Sequence, residues 1–143
     1  MIAYLDSSVI LRKILDSGGA SSFLGSDVNL YTSELTRVEA LRVLDRYRLE
    51  GKLNDFEMAD KTQTLVKALQ AFNLIVLSAS ILDRAAASFP TVIGTLDAIH
   101  LASALHLLEH EKRELLFATH DVRQGLAAQA VGLRSEGFVL PKA

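Results

Sequence analysis

Cysteine is absent from this 143-residue sequence, and so is any long apolar run. Without cysteine the chain cannot form a disulfide, a thiolate zinc site, an iron–sulfur cluster or a thiol nucleophile, and it suits a reducing compartment. Apolar runs such as 74–77 and 115–118 are far shorter than the ~20 residues that span a bilayer. Asp6 interrupts the apolar start, and no cationic leader precedes it. We therefore expect a cytoplasmic protein that does not enter the membrane.

Neither sign of charge is in large excess. The sequence has 15 Lys and Arg against 17 Asp and Glu, a net charge of −2, whereas a general nucleic-acid binder tends to be basic. Its residues are 50% hydrophobic and 22% charged, which is typical of a globular protein and excludes a disordered chain. A chain of this length usually forms one domain and needs no disulfide to stay folded. We expect a single domain over residues 1–143.

Predicted strands alternate with predicted helices along the whole chain. Hydrophobic patterning predicts strands at 2–5, 29–31, 74–77, 115–118 and 138–140. Capping residues and helix breakers predict helices from 6–8 to 15, from 32–33 to 49, from 54–55 to 72, from 78–80 to 89, from 95 to 110, and over 122–130, with a turn at 16–19 and a helical turn near Phe23. No Asn-Gly hairpin turn is present. The fold class is therefore α/β: a three-layer α/β/α sandwich around a mostly parallel sheet of four to five strands.

Two aspartates follow predicted strands. Asp6 comes directly after the first strand, and Asp121 follows strand 115–118, with Thr119 and His120 between. In an open parallel sheet, ligands bind beyond the carboxyl ends of the strands, so both aspartates are candidates for chemistry. The alternative for each is to cap the following helix, which aspartate does routinely.

Glu39 interrupts an apolar row on its predicted helix. Its neighbours one turn away on either side are Leu35 and Val43, so its carboxylate faces the core. Because unpaired burial of a charge is costly, Glu39 must have a partner or bind a cation. A local ion pair with Arg42 or Arg46 is the alternative.

Asp97 lies in the first turn of the predicted helix 95–110, which is apolar nearly all round. The helix macrodipole favours an acid at this position whatever its function. The helix has few other polar groups, so its N-terminal end must point Asp97 either to solvent or into a polar cleft.

The four acids are more informative together than singly, since Asp6 and Asp121 both follow strands at one edge of the sheet and the helix that bears Glu39 starts from that edge. Carboxylates ~4 Å apart repel by about 4 kcal/mol at an effective dielectric constant near 20, so a cluster takes up protons or binds hard cations. Oxygen ligands without cysteine suit Mg²⁺ or Mn²⁺. Ions of this kind promote phosphodiester hydrolysis. The sequence therefore predicts a divalent-metal site.

Four segments carry a family resemblance: MIAYLDSSVILR (1–12), SELTRVEALRVL (33–44), TLDAIHLASA (95–104) and ATHDVRQGLAAQAVGL (118–133). They resemble, in order and spacing, the acidic motifs of PIN-domain ribonucleases, and the nearest branch is the VapC toxins of bacterial toxin–antitoxin modules. The resemblance implies a PIN-like fold, a Mg²⁺ or Mn²⁺ cofactor and an RNA substrate. It also implies a homodimer that is inhibited by a cognate VapB-type antitoxin. The implied metal ligands are Asp6, Glu39, Asp97 and Asp121, and the implied polar neighbours are Ser8 and Thr119.

Several assignments have alternatives. Glu34 is also acidic and lies in the second motif, but capping explains it, and the apolar setting of Glu39 favours Glu39 as the ligand. His120, in a position that varies in the family, is interpreted as an exposed loop residue without a role. The pattern His106-Leu-Leu-Glu-His110 matches a zinc metalloprotease motif, but it ends a helix next to charged surface residues and is set aside.

Commitment of four acids to metal would leave 15 cationic against 13 acidic residues, that is 17 − 4, so the acidic balance does not argue against RNA. Candidate contacts to RNA phosphates are Arg12, Arg42 and Arg46. The alternative for them is a solvated helix face that pairs with Asp45 and Glu50. A second hypothesis from another class is a catalytically inactive PIN-like module that binds protein or RNA.

Overall fold

The computed structural model describes residues 1–16, 25 and 27–142. The helices and strands of this described part, in chain order, are β1 (Ile2–Leu5), α1 (Ser7–Asp16), β2 (Asn29–Ser33), α2 (Glu34–Leu49), α3 (Asp55–Gln70), β3 (Asn73–Ile75), α4 (Ala79–Ala86), α5 (Thr95–Glu111), β4 (Leu115–Ala118), α6 (Val122–Ala130) and β5 (Arg134–Glu136). The predicted turn at 16–19 and the helical turn near Phe23 fall on residues outside the described part, apart from Asp16.

The strands form one parallel sheet in the order β3-β2-β1-β4-β5. β1 is therefore central, and its Tyr4 lies opposite Tyr31 of β2 and Phe117 of β4. The chain builds outward from β1 to β3 and then returns to the other side of β1 to place β4. The gap between the ends of β1 and β4 is thus a topological switch point, where open α/β sheets bind ligands. The predicted mostly parallel α/β sheet is confirmed.

A separate apolar core covers each face of the sheet. Ala3 and Leu5 of β1 pack with buried residues of α1, α2 and α3, whereas Ile2 and Tyr4 pack with α5 and α6. This division follows from strand geometry, because successive side chains point to opposite faces. All four residues of β1 are 0% exposed. Burial on both faces explains the continuous apolar run at the start of the sequence and confirms the three-layer architecture.

The last strand was predicted wrongly. It lies at Arg134–Glu136 and pairs with Leu116–Ala118, rather than at 138–140. As an edge strand it is polar, whereas the apolar Val139 and Leu140 are exposed beyond the sheet. Gly137 ends the strand with a backbone φ of +100°.

Other bounds differ by a few residues. β3 is Asn73–Ile75 instead of 74–77, because its register is set by pairing with Tyr31–Ser33. α4 begins after the predicted cap Ser78, but it ends at Ala86 and not at 89. None of the helices in the described ranges is long and apolar enough to cross a membrane.

The close approach of Gly137 to Thr119 generates a prediction. A β-carbon at Gly137 would lie 2.6 Å from the Thr119 carbonyl oxygen, on a backbone conformation that side chains rarely adopt. Backbone strain of this kind costs on the order of 1–3 kcal/mol before the contact is counted. We expect Gly137→Ala to lower the free energy of unfolding by more than this strain alone, as measured by urea denaturation.

Gly132→Ala is the matched control. Gly132 has a similar φ of +87°, but a β-carbon there meets nothing within 4 Å. Its substitution should show the strain without the contact. Equal losses in the two variants would contradict the close approach.

Candidate active site

Four acids reach the carboxyl edge of the sheet from four different elements. Asp6 follows β1, Glu39 lies on α2, Asp97 is in the first turn of α5, and Asp121 caps α6 beyond β4. Desolvation raises the pKa of Asp97 most, the negative charges of Asp121, Asp6 and Glu39 raise it further, and the charge of His100 lowers it. The charges of the other three acids therefore act on Asp97, but within the described ranges the acids do not come close enough for three of them to hold one ion.

Asp6 is held in place by hydrogen bonds at the end of the central strand. It is 4% exposed, so burial raises the pKa of its carboxyl, while the hydrogen bonds and the charge of His100 act in the opposite direction. Oδ1 accepts from the Ser8 hydroxyl at 2.5 Å and from the Ser8 N–H at 3.1 Å. Oδ2 accepts from the Thr119 hydroxyl at 2.8 Å. Both predicted polar neighbours thus contact this carboxylate.

Thr119 links Asp6 to the loop that carries Asp121. Its Oγ1 accepts from the Asp121 N–H at 3.0 Å and lies 3.1 Å from Oε1 of the buried Gln124. The Asp121 carboxylate in turn accepts from the Gln124 N–H at 3.0 Å, which is the N-cap of α6. Asp121 therefore performs the capping role that was its alternative, and its charge still acts on Asp97.

Glu39 is paired with a histidine. Its Oε1 lies 2.5 Å from Nε2 of His100, whose Nδ1 lies 2.6 Å from the Tyr4 hydroxyl. His100 and Tyr4 are 1% and 0% exposed. Sequence reasoning required a partner for Glu39 but missed this one. The available signal was a polar residue three positions after Asp97, in a helix that is otherwise apolar.

The arginines expected near the site make local ion pairs instead. Arg42 pairs with Asp45 at 3.2 Å and Arg46 with Glu50 at 3.9 Å, so neither is the partner of Glu39. Arg12 pairs with Asp16 at 3.7 Å. All three guanidinium groups are well exposed, with side-chain exposures of 63%, 73% and 63% for Arg12, Arg42 and Arg46.

Two further residues have structural partners. Glu34 is exposed and accepts a hydrogen bond of 2.8 Å from the Leu77 N–H, between β3 and α4. His120 was interpreted as a loop residue without a role. Its backbone N–H donates to the Ser8 hydroxyl at 3.0 Å, and Nδ1 of its ring lies 2.6 Å from the Gly137 carbonyl oxygen. His120 therefore joins the loop after β4 to α1 and to the end of β5.

The structure does not support a zinc site at the motif His106-Leu-Leu-Glu-His110 on α5. Glu109 pairs with Arg84 at 2.8 Å, and Nδ1 of His110 lies 2.9 Å from the His106 carbonyl oxygen. Within the described ranges, no three His, Asp or Glu side chains stand close enough together to hold a metal ion.

The carboxylates of the site nevertheless fit a hard cation in their chemistry. Mg²⁺ keeps several waters and is commonly bound through only one or two carboxylates. Asp97 makes no hydrogen bond or ion pair with the described residues, although burial and then the negative charges around it raise its pKa. A divalent cation would offset the repulsion between the ionised Asp97 and the other three carboxylates. The carboxylate oxygens therefore suit Mg²⁺ or Mn²⁺ as ligands.

Comparison with known proteins shows which family the chain resembles. The family model for the PIN domain matches residues 3–128. Ribonuclease VapC47 of Mycobacterium tuberculosis is 28% identical, and the alignment covers 95% of this chain and 93% of the relative. Ribonuclease VapC46 of the same species is 32% identical, with 91% of this chain and 92% of the relative covered.

Two solved structures share the fold. VapBC2 from Rickettsia felis, bound to a DNA fragment from its promoter, has a TM-score of 0.67 at 14% identity, covering 96% of this chain and 98% of that chain. VapBC-1 from nontypeable Haemophilus influenzae has a TM-score of 0.60 at 17% identity, with the same coverage. The resemblance carried by the four motifs is confirmed: the chain belongs to the PIN domain family, and its curated relatives place it with the VapC-type members.

Proposed function

We propose that this protein is a Mg²⁺- or Mn²⁺-dependent endoribonuclease, the toxin of a VapBC-type toxin–antitoxin module. The observation that carries the proposal is the convergence of Asp6 and Asp121 on Thr119 at the switch point of the sheet, where their charges and that of Glu39 act on Asp97. The relatives named Ribonuclease VapC47 and VapC46 support RNA as the substrate class. The similar structures named VapBC support a VapB-type antitoxin as partner, and a homodimer is the family expectation.

The four carboxylates would hold the ion, with one or two of them as direct ligands. When bound, the ion would supply an activated water for attack on the phosphodiester and stabilise the attacking and leaving oxygens. Ser8 and Thr119 orient the Asp6 carboxylate before any ion arrives. Little reorganisation is then needed at the moment of binding, which favours both affinity and rate.

The phosphate backbone of RNA would be bound by exposed cationic side chains of α1 and α2. Arg12, Arg42 and Arg46 are exposed, and each pairs with an acid three or four residues further along its own helix. Exposed pairs of this kind are worth only ~0–1 kcal/mol, so a phosphate can displace the acid. These arginines therefore remain candidates for RNA contact.

The alternative is a catalytically inactive PIN-like module that binds protein or RNA. The observation in its favour is that Asp121 caps α6 and Glu39 is paired with His100, so both acids have structural partners. Asp97 has no such partner among the described residues. The dipole of α5 favours an acid at its position, but burial and the charges of three other acids oppose its ionisation, and this favours the enzyme.

Metal binding tests the site without RNA. We expect Mn²⁺ to raise the melting temperature, since ligand at a hundredfold excess over its Kd stabilises by about 2.7 kcal/mol. Asp97→Asn should abolish most of this gain. In EDTA at neutral pH the same variant should melt above wild type. The pKa of Asp97 is raised in the folded state, so its ionised form opposes folding as the pH rises through that pKa, and asparagine removes this cost.

Asp83→Asn is the matched control for these melting experiments. Asp83 is an exposed acid on α4, so its loss should leave both the Mn²⁺ gain and the melting temperature in EDTA near wild type. A wild-type protein that shows no response to Mn²⁺ or Mg²⁺ would favour the binding module instead.

Cleavage of RNA tests the activity itself. We expect total cellular RNA to be cut only with Mg²⁺ or Mn²⁺, and Asp6→Asn, Asp97→Asn or Asp121→Asn to reduce the cleavage rate by orders of magnitude. Asp121→Asn is informative because asparagine caps a helix as well as aspartate does, so it removes charge while preserving the cap. The rate is measured by following cleavage over time, and end mapping of the fragments identifies the target. Full activity in these variants would refute the assigned residues.

A further inference from the structure

A continuous series of hydrogen bonds leads from the central strand, through two buried side chains, to the partly exposed Glu39. It comprises Tyr4 on β1, His100 on α5 and Glu39 on α2, and we call it the Tyr4–His100–Glu39 chain. The Tyr4 hydroxyl lies 2.6 Å from Nδ1 of His100, and Nε2 lies 2.5 Å from Glu39 Oε1. The chain therefore joins β1 and α5 directly to α2, which packs on the opposite face of the sheet from α5.

The chemistry of the three groups sets the direction of the hydrogen bonds. An ionised carboxylate only accepts, so Nε2 of His100 must carry a hydrogen and donate it to Glu39. In a neutral imidazole the other nitrogen is then an acceptor. The Tyr4 hydroxyl fills that position as the donor. Nε2 of His100 therefore donates to Glu39 whether the imidazole is neutral or charged, and in the neutral form the Tyr4 hydroxyl selects this tautomer.

Packing keeps the side chains of Tyr4 and His100 in place. The Tyr4 ring stacks on Phe117, with centroids 5.4 Å apart and an interplanar angle of 6°. The ring of His100 meets Tyr4 edge-on at 5.9 Å. Neither ring can swing away without opening the core beside α5. Glu39 is the partly accessible end, with 17% of its side chain exposed, and its Oε2 makes no hydrogen bond with the described residues.

We propose that His100 is a positioning residue for the metal centre, which holds Glu39 by one oxygen and leaves the other for the divalent cation, while Tyr4 selects the tautomer of His100. This inference rests on the proposed metal-dependent function. Histidine and carboxylate partners that orient metal ligands typically contribute 10- to 100-fold in metal affinity. His100 is assigned no contact with RNA or with the reacting atoms.

Two substitutions at His100 separate positioning from folding. Glutamine is long enough to place an amide N–H near the position of Nε2, so His100→Gln should bind Mn²⁺ nearly as well as wild type. Asparagine is shorter and reaches Tyr4 but not Glu39, so His100→Asn should raise the Kd for Mn²⁺ by about 10- to 100-fold. Isothermal titration of the full chain with Mn²⁺, without RNA, measures both. His106→Asn on the same helix is the matched control and should bind as wild type does.

The tautomer can be observed directly by ¹⁵N NMR of the imidazole nitrogens. At a pH where the imidazole of His100 is neutral, we expect its hydrogen on Nε2 in the metal-free wild type. Tyr4→Phe, which keeps the ring stacked on Phe117, should increase the population with the hydrogen on Nδ1. If His100→Asn fails to fold, this spectrum and His100→Gln decide the question. A neutral His100 whose hydrogen is on Nδ1 in the wild type, or a His100→Gln variant that loses Mn²⁺ binding while folded, would overturn the proposal.

The outcomes also separate the two proposals. If the wild type binds Mn²⁺ and a folded His100→Asn variant binds it equally well, the positioning role is wrong and the metal-dependent function stands. If the wild type does not bind Mn²⁺ or Mg²⁺, the proposed function fails and the positioning role fails with it.

Discussion

The buried carboxylate of Asp6 depends on the hydrogen bonds that Ser8 and Thr119 donate, and the arrangement of the site is built around these bonds. β1 is central and fully buried, so the residue that follows it enters an environment of low polarity. A charge there is tolerated only with donors around it. Ser8 arrives from the next helix, whereas Thr119 arrives from the neighbouring strand through the parallel pairing of β1 with β4. The sheet register therefore determines whether Asp6 can be charged.

Further hydrogen bonds make the position of Thr119 depend on β5 near the C-terminus. The Thr119 N–H donates to the Glu136 carbonyl at 3.0 Å, and His120 contacts both Ser8 and Gly137. β5 is a short edge strand without an apolar face. It nevertheless fixes the loop after β4, in which Thr119 contacts both Asp6 and Asp121. Its role is to support the site more than to enlarge the core. This explains why a polar strand is retained at the edge of an otherwise apolar sheet.

The sequence predicted the parts of the fold that depend on local pattern. Apolar runs located β1 and β4, and serine and asparagine caps located the starts of α2 and α3. β5 was missed because its three residues, Arg-Ser-Glu, are held by pairing with β4 and not by their own hydrophobicity. The partner of Glu39 was missed for a related reason: Glu39 and His100 are 61 positions apart, and only the packing of α5 against the sheet brings them together. The need for a partner could be read from the sequence, but its identity could not.

Structural partners do not remove the four acids from functional consideration, because a carboxylate has about four lone-pair positions. Asp121 uses Oδ1 to cap α6, and Glu39 uses Oε1 on His100. Asp6 accepts two hydrogen bonds from Ser8 at Oδ1 but one, from Thr119, at Oδ2. Each acid is thus fixed by part of its carboxylate and retains oxygen lone pairs beyond those that its partners use. Asp97 alone among the four has no such anchor in the described part of the chain, and its pKa is raised by burial and further by the charges of the other three. A cation bound beside Asp97 would relieve this repulsion and would require movement of one side chain, because the other three carboxylates are already fixed. This difference is the physical basis for preferring the proposed metal centre over a set of helix caps.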